Sequence, residues 1–171
     1  CFERGKMTKS TVVRDVVMPR LVKALGQKLE KGVVLSLAKN WAWKQKQTVE
    51  LAVCLKELDE ELRGSLTQLW LHHTGLDDSA VPALVDIVTL LPGLRELHLS
   101  HTGISKDGLE LLGECLSTLY GADRPRDGHL YVNAAELEGA TIEDVEHFWE
   151  KHQECVSVLC HVRVKETTSF D

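Results

Sequence analysis

The sequence has no apolar run that approaches the ~20 residues of a membrane-spanning helix. Its first residues lack the apolar stretch of a secretory signal, and no Asn-x-Ser/Thr glycosylation acceptor occurs. The five cysteines form an odd-numbered set without the spacing of a disulfide framework. We therefore predict a cytoplasmic protein without a membrane span. Because the first residue is not Met, we also expect a processed or excised piece of a longer chain.

The motifs of nucleophilic and nucleotide chemistry are missing as well. There is no Gly-x-Ser-x-Gly elbow, and no Gly-rich phosphate-binding loop opens a helix. The cysteines lie in apolar contexts, which is typical of buried thiols that pack as small hydrophobic side chains. The sequence therefore predicts neither an enzyme nor a cofactor.

Charge is unevenly distributed along the 171 residues. Residues 1–46 hold 11 Lys and Arg against 3 Asp and Glu, whereas residues 47–171 hold 9 against 23. Such a polarity favours association with a charged partner or a neighbouring subunit. The basic segment fits a solvated helix face, or an arm for an acidic protein, a membrane surface or a nucleic acid. Nucleic acid is the weakest of these, because no aromatic interleaving or known motif accompanies the charge.

One stretch of the chain occurs twice. The sequence LTQLWLHHTGL at residues 66–76 returns 28 residues later as LRELHLSHTGI at residues 94–104. Each copy is followed by apolar residues at helical spacing, in residues 81–91 and 109–119. A period of this length indicates stacked units of one strand and one helix.

These two copies resemble leucine-rich repeats of the ribonuclease-inhibitor-like class. The resemblance implies an α/β fold: a short solenoid with parallel strands on its concave face and helices on its convex face. We expect about four units within residues 33–135, the clear ones at 66–93 and 94–119. A basic segment with a capping helix would precede them at residues 1–32, and a C-terminal helix and closing strand would follow at residues 136–171.

Weaker signals extend this scheme to both sides. Leu35 and Leu37 match Leu69 and Leu71 of the first clear copy, and Asn40 falls at the turn position of Thr74. Residues 19–31 predict a helix that begins at a proline. Two further predictions concern side chains that cap helices, Thr48 before the helix at 49–58 and a Thr141–Asp144 capping box.

Beyond a turn-rich insertion at 120–129, residues 129–133 predict a strand in which Leu130 and Val132 replace Leu97 and Leu99. Residues 156–164 alternate as a final strand.

Strand alternation places the neighbours of the inward leucines on the opposite sheet face. The central row of that face is predicted to hold Trp70, His98 and Tyr131. The rows beside it hold His72 with Asn133, and His73 with His101. Exposed aromatic residues with few charges are typical of a protein-binding hot spot, so these seven residues are the predicted partner site. The alternative is that another part of the chain covers Trp70.

Histidine clusters also raise the question of zinc. His72, His73, His98 and His101 lie on strands and exit turns, where four ligands need not converge, so a polar or pH-sensitive surface is favoured. A second loose set near the C-terminus lacks a Cys-x-x-Cys pair, which favours core filling and surface polarity. Its members are His147, His152, Cys155, Cys160 and His161. No metal is predicted.

Three functions are consistent with these patterns. The first is a protein–protein interaction module that binds a partner on the concave aromatic and histidine face. The second is a scaffold or assembly subunit that docks through its basic N-terminal segment. The third, regulation of a small GTPase, follows solely from analogy with GTPase activators of the same repeat class.

Overall fold

The computed structural model describes residues 11–27, 32–120, 131–133, 141, 143–144, 147 and 150–151. Its main elements are α1 (Met18–Leu25), β1 (Val33–Ser36), α2 (Gln45–Lys56), α3 (Glu60–Gly64), β2 (Leu66–Trp70), α4 (Val81–Leu90), β3 (Glu96–His98), α5 (Lys106–Tyr120) and β4 (Tyr131–Asn133). A π-helical turn at Val13–Val17 precedes α1, and a 3₁₀ turn at Asp78–Ala80 precedes α4. This part of the chain is an α/β structure. None of its helices is long and apolar enough to cross a bilayer.

The four strands form one open parallel sheet in the order β1-β2-β3-β4. The strands run in the same direction because each connection contains a helix that carries the chain back. Leu69 pairs with Leu35 on one side and with Leu97 on the other, which confirms the predicted register of the first three strands. The fourth strand differs, because Val132, rather than Leu130, pairs with Leu97.

The hydrophobic core lies between the sheet and the helices α2, α4 and α5. Helix α4 packs against both α2 and α5. Leucines at alternate positions of the strands and their exits face these helices. Fully buried members of the core include Leu51, Leu66, Leu69, Leu71, Leu84, Ile87, Leu97, Leu99 and Leu112. Because side chains alternate along a strand, the residues between these leucines lie on the sheet face away from the helices.

The turns that leave β1, β2 and β3 are each held by a polar side chain. The buried hydroxyls of Thr74 and Thr102 donate to the carbonyl oxygens of Leu71 and Leu99 at 2.7 and 2.8 Å. In the first unit, the Asn40 Oδ1 accepts from the backbone N–H of Ala42 at 3.2 Å. The predicted role of this position, satisfying backbone groups in the turn, is therefore seen in all three units.

The N-terminal helix lies upstream of its predicted bounds. The sequence places a helix at residues 19–31, but helical structure begins at Val13 and α1 ends at Leu25, with Gly26 as its C-cap. Pro19 has no N–H, so it cannot donate the α-helical hydrogen bond to the carbonyl oxygen of Asp15. In the π-helical turn ahead of α1, the Met18 N–H donates to the carbonyl oxygen of Val13.

The predicted N-cap at Thr48 is wrong. Helix α2 begins at Gln45, and Lys44 is its N-cap. Thr48 is fully buried inside the helix, where its hydroxyl accepts from the indole Nε1 of Trp43 at 3.1 Å. The same hydroxyl donates to the carbonyl oxygen of Lys44 at 3.2 Å. Trp43 is 1% exposed, so this threonine supplies the acceptor that a buried indole requires.

We expect Thr48→Val to lower the free energy of unfolding by about 1–3 kcal/mol, because the Trp43 indole N–H would stay buried without an acceptor. Chemical denaturation of the variant measures this loss. Trp43→Phe, alone and combined with Thr48→Val, completes a double-mutant cycle, in which the double variant should lose less stability than the sum of the two single losses. Additive losses would contradict the importance of this bond.

The capping box at the C-terminal helix is confirmed. The Thr141 hydroxyl and N–H both donate to the Asp144 carboxylate at 2.9 Å, and the Asp144 N–H donates back to Thr141. Asp144 also pairs with Lys106 on α5, and these contacts lower the pKa of its carboxyl to about 2, the Lys106 bond being the largest cause. The predicted strand at 156–164 lies outside the described residues, as do His152, Cys155, Cys160 and His161.

Candidate functional site

Five of the seven predicted site residues come together on the sheet face away from the helices. We call Trp70, His72, His73, His98 and His101 the Trp/His face. All five side chains are partly exposed. Trp70 and His98 are direct partners in the register of β2 and β3. Their positions follow from the buried leucines on either side, which turn the intervening residues outward.

The rings at the centre of this face are in mutual contact. The centroids of Trp70 and His98 are 5.4 Å apart, and those of Trp70 and His72 are 6.0 Å apart. The His72 and His98 rings are separated by 6.3 Å. All three pairs are tilted, an arrangement that aromatic rings favour over direct overlap. The centre of the face is thus a cluster of three aromatic rings in mutual contact.

His73 and His101 form a second pair, at the turns that follow the strands. Their rings are stacked, with centroids 4.0 Å apart and an interplanar angle of 8°. Both residues have a positive φ, of 54° and 55°, and Lys39 has a φ of 59° at the corresponding turn of the first unit. Histidine is among the residues that enter this left-handed region more often than most. Backbone bonds from Lys39 N–H to His72 O and from His73 N–H to Ser100 O fix the turns side by side.

A carboxylate lies at the other end of the face. Glu96 accepts from the Gln68 side-chain amide at 3.0 Å, and its second oxygen is 3.1 Å from the His98 Nε2. Glu96 and His98 are two residues apart on β3, so alternation puts them on the same face. Both carboxylate oxygens of Glu96 are therefore already in contact with neighbouring side chains, those of Gln68 and His98.

The indole N–H of Trp70 has no hydrogen-bond acceptor among the residues that the structure describes, although its nitrogen is buried. The buried indole of Trp43, by contrast, has Thr48. A buried donor without an acceptor costs free energy that a suitably placed oxygen would recover. Trp70 is thus a donor for which the described part of the chain supplies no partner.

The pKa of His72 is lowered. Burial is the largest cause, followed by the positive charges that His73, His98, Lys39 and His101 carry when protonated. The surroundings therefore favour the neutral imidazole at this position.

We expect the wild type to lose stability on acidification below about pH 6.5, the usual pKa of an unfolded-chain histidine. In that range the unfolded state binds a proton that the folded state resists, so the free energy of unfolding falls as the pH falls. Urea denaturation at pH 7.5 and 5.5 should show a smaller fall for His72→Gln than for the wild type. His147→Gln, at an exposed helix position, is the matched control. An unchanged fall in His72→Gln would contradict the environment described for this ring.

In the part of the chain that the structure describes, no three His, Cys, Asp or Glu side chains are grouped so that they could hold a metal ion.

Cys54 and Cys115 are free thiols, and Cys54 is buried. Burial raises the pKa of the Cys54 thiol, although the positive charge of Arg14 acts in the opposite direction. The raised pKa keeps this thiol protonated.

The predicted places of Tyr131 and Asn133 are both wrong. The sequence predicts Tyr131 beside His98 in the central row and Asn133 in the row of His72. Strand β4 is displaced by two residues, so Asn133 pairs with His98 and Tyr131 pairs with Glu96. Both residues lie at alternate positions of β4, in line with the outward positions of β3. The structure describes the backbone register of these two residues and not their side chains.

Sequence reasoning missed the roles of two residues. Gln68 bonds Glu96, and alternation could have found it, since it lies two residues before Trp70. Trp41 is 64% exposed at the turn after β1, whereas Trp43, two residues on, is buried. No pattern in the sequence separates these two tryptophans, because a turn does not fix which side chain points inward.

Comparison with known proteins bears on the fold. No protein-family model matches the sequence, and no curated protein matches it. A solved structure described as the tropomodulin C-terminal domain, from structural genomics of Caenorhabditis elegans, is similar with a TM-score of 0.55 and 12% identity. The likeness covers 86% of this chain and 84% of that one. The protein therefore has a leucine-rich-repeat-like α/β fold.

Proposed function

We propose that this protein is a protein–protein interaction module of the cytoplasm, in which a short leucine-rich-repeat solenoid of the ribonuclease-inhibitor-like class binds a partner on its concave face. The Trp/His face is the contact surface. In this proposal the chain binds its partner without catalysing a reaction and without a cofactor.

The observation that carries the proposal is the position of Trp70. It lies at the centre of the face, within 6.0 Å of both the His72 and His98 ring centroids, and its side chain is only partly covered. Tryptophan is enriched at the centres of protein interfaces, where burial of its ring contributes much of the affinity. Here the ring is held in place by its neighbours before any partner arrives, so little side-chain entropy remains to be lost on binding.

The test is the affinity of a partner captured from cell extract with the wild-type protein and then purified. We expect Trp70→Ala to weaken its binding by about 2 kcal/mol or more, which is roughly thirtyfold in Kd. Val53→Ala is the matched control, since Val53 is 51% exposed but lies on α2, on the other side of the core. Isothermal titration calorimetry measures both variants, and circular dichroism confirms that they are folded. Equal affinity for Trp70→Ala and the wild type would refute the proposed surface.

A further inference from the structure

We propose that the groove between β1 and α1 is a second binding site, in which an extended, mainly apolar segment of a protein partner pairs with the edge of β1 and places an acidic side chain against Arg20. We call it the edge groove. Strand β1 is the first in the order of the described sheet, so one of its two sides faces away from β2. The site is separate from the Trp/His face and does not depend on it.

The edge groove has one wall of strand and one wall of helix. Its volume is about 330 Å³, at the lower end of the range for ligand clefts. Residues 33–37, the whole of β1 and the residue after it, form the first wall. The second wall is one face of the N-terminal helical segment, with residues three and four positions apart. Its members are Val16, Val17, Arg20, Leu21 and Ala24.

The helix lies beside β1 without closing the groove. Both walls are lined by hydrocarbon side chains apart from those of Arg20 and Ser36. Val16 on the helical wall and Val34 on the strand wall are exposed, although both line the groove. Two apolar walls therefore stand open on either side of a gap that an added chain can enter.

The backbone of β1 directs hydrogen-bonding groups to the groove side. The Leu37 N–H donates to the carbonyl oxygen of Trp70, which fixes the side of the chain that faces β2. Successive residues of an extended strand direct their backbone groups to opposite sides, so those of Ser36 and Val34 point away from β2. Among the described residues, no strand pairs with that side. An edge of this kind is a template for a further strand.

These two features together select the occupant. A helix or an acyl chain could cover the apolar walls, but it would bury the backbone groups of the β1 edge without partners, which costs free energy. An extended peptide supplies a backbone acceptor and donor at every second residue, and its alternate side chains reach the hydrocarbon of the groove. The edge groove therefore fits an added strand better than it fits a helix or a lipid.

The charge around the groove favours an acidic side chain in that strand. Residues 11–27 and 33–40 contain four Lys or Arg and one acid, Asp15. Arg14 already pairs with a carboxylate at the end of α2. Arg20 lines the groove, and no described carboxylate forms an ion pair with it. A carboxylate in the bound strand would give its guanidinium a charge-assisted hydrogen bond.

The experiment measures the binding of fluorescein-labelled eight-residue peptides to the full chain by fluorescence anisotropy. The probe alternates valine and threonine, with glutamate in place of one central threonine. We expect saturable binding. Two further peptides are N-methylated at alternate residues, one along each edge of the strand, so that each is the matched control of the other. Methylation of the edge that pairs with β1 should weaken binding at least about tenfold, because two or more donors are lost, and methylation of the other edge should not.

Ser36→Pro tests the same pairing from the side of the protein. Proline removes the N–H that residue 36 directs to the groove, and edge strands tolerate proline where the N–H faces outward. We expect about tenfold weaker binding of the probe, since a donor is lost and the ring occupies the edge. Ser36→Thr keeps the N–H and should bind as the wild type does. Leu111→Ala, at an exposed position of α5, is the control away from the groove.

Arg20→Gln tests the acidic contact. A probe with glutamine in place of glutamate should bind the wild type about threefold more weakly, as expected for a partly exposed ion pair. Arg20→Gln should abolish this difference between the two probes. Equal binding of both probes to the wild type would overturn the acidic contact.

The strand-pairing proposal would be overturned by equal effects of the two methylation patterns, by unchanged binding to Ser36→Pro, or by the absence of saturable binding. The comparison of methylated peptides uses the wild-type protein, so it decides the question even if circular dichroism shows that Ser36→Pro does not fold. A dimer in analytical ultracentrifugation that Ser36→Pro abolishes would assign the edge to a second copy of the chain and overturn the proposal as well. None of these results bears on the Trp/His face, whose test is Trp70→Ala with the captured partner.

Discussion

Gly93→Ala is expected to destabilise the protein by about 3 kcal/mol, near the upper end of the range for overpacked sites. Gly93 lies in the turn between α4 and β3, where it packs against the C-terminus of α3. A methyl group at Gly93 would overlap the carbonyl oxygen of Gly64 and lie 2.8 Å from its carbonyl carbon. The obstacle is backbone and cannot rotate away, so one unit would have to shift against the next.

Thermal unfolding provides the measurement, with a fall in Tm of roughly 6–12 °C expected for a chain of this length. Gly64→Ala is the matched control. A methyl group there meets nothing within 4 Å, and Gly64 is the last residue of α3. Alanine favours helix over glycine by about 1 kcal/mol, so Gly64→Ala should be neutral or stabilising. Equal losses for the two variants would contradict the close approach of these turns.

Leu97→Ala is expected to cost roughly 3–4 kcal/mol, because Leu97 is fully buried on β3, between two neighbouring strands and beneath the helices. Truncation leaves a cavity in a sheet whose leucines stand in register, where the surroundings have little freedom to collapse. Val34→Ala provides the contrast, since Val34 is 45% exposed on the edge strand and should lose less than about 1 kcal/mol. Denaturant unfolding compares the two. A Leu97 variant as stable as the Val34 variant would exclude this arrangement of the core.

The sequence predicted the fold wherever the leucine period is unbroken. Leu69 and Leu97 are 28 residues apart, and their pairing in the sheet follows directly from that spacing. The prediction failed by two residues at β4, where the segment around 121–130 changes the number of residues between strands. Val132 therefore takes the place that counting assigned to Leu130. A parallel register depends on the length of the connection, and an irregular insertion removes that information.

The composition of the candidate site was predicted, but its internal contacts were not. Side chains alternate between the two faces of a strand, so the buried Leu69 and Leu97 were enough to predict that Trp70 and His98 lie on the same opposite face. The stacking of His73 on His101 required the positive φ of both turns, which the residue type permits but does not dictate. The bond between Trp43 and Thr48 was missed for a related reason. A threonine ahead of an apolar helix fits a cap as well as it fits a buried acceptor.

The Trp/His face differs from the rest of the sheet in what its residues contribute to stability. The leucines carry the core, and Thr74 and Thr102 complete the turns. Trp70 leaves an indole donor unpaired in the described chain, and His73 and His101 adopt a backbone conformation that glycine would adopt at lower cost. Residues whose backbone conformation or unpaired polar groups lower the stability of a fold are often clustered at functional sites. That pattern supports a binding role for this face.

The most direct test of this role is the ¹H–¹⁵N signal of the Trp70 indole on titration with the captured partner. Assignment by Trp70→Phe distinguishes it from the signals of the other three tryptophans. We expect the Trp70 indole signal to shift as the partner packs against the exposed part of the ring, together with perturbed backbone signals of residues 70–73 and 98–101. A Trp70 indole signal that stays in place at saturation, with perturbations confined to α2 and α4, would contradict the account and place the partner on the helices.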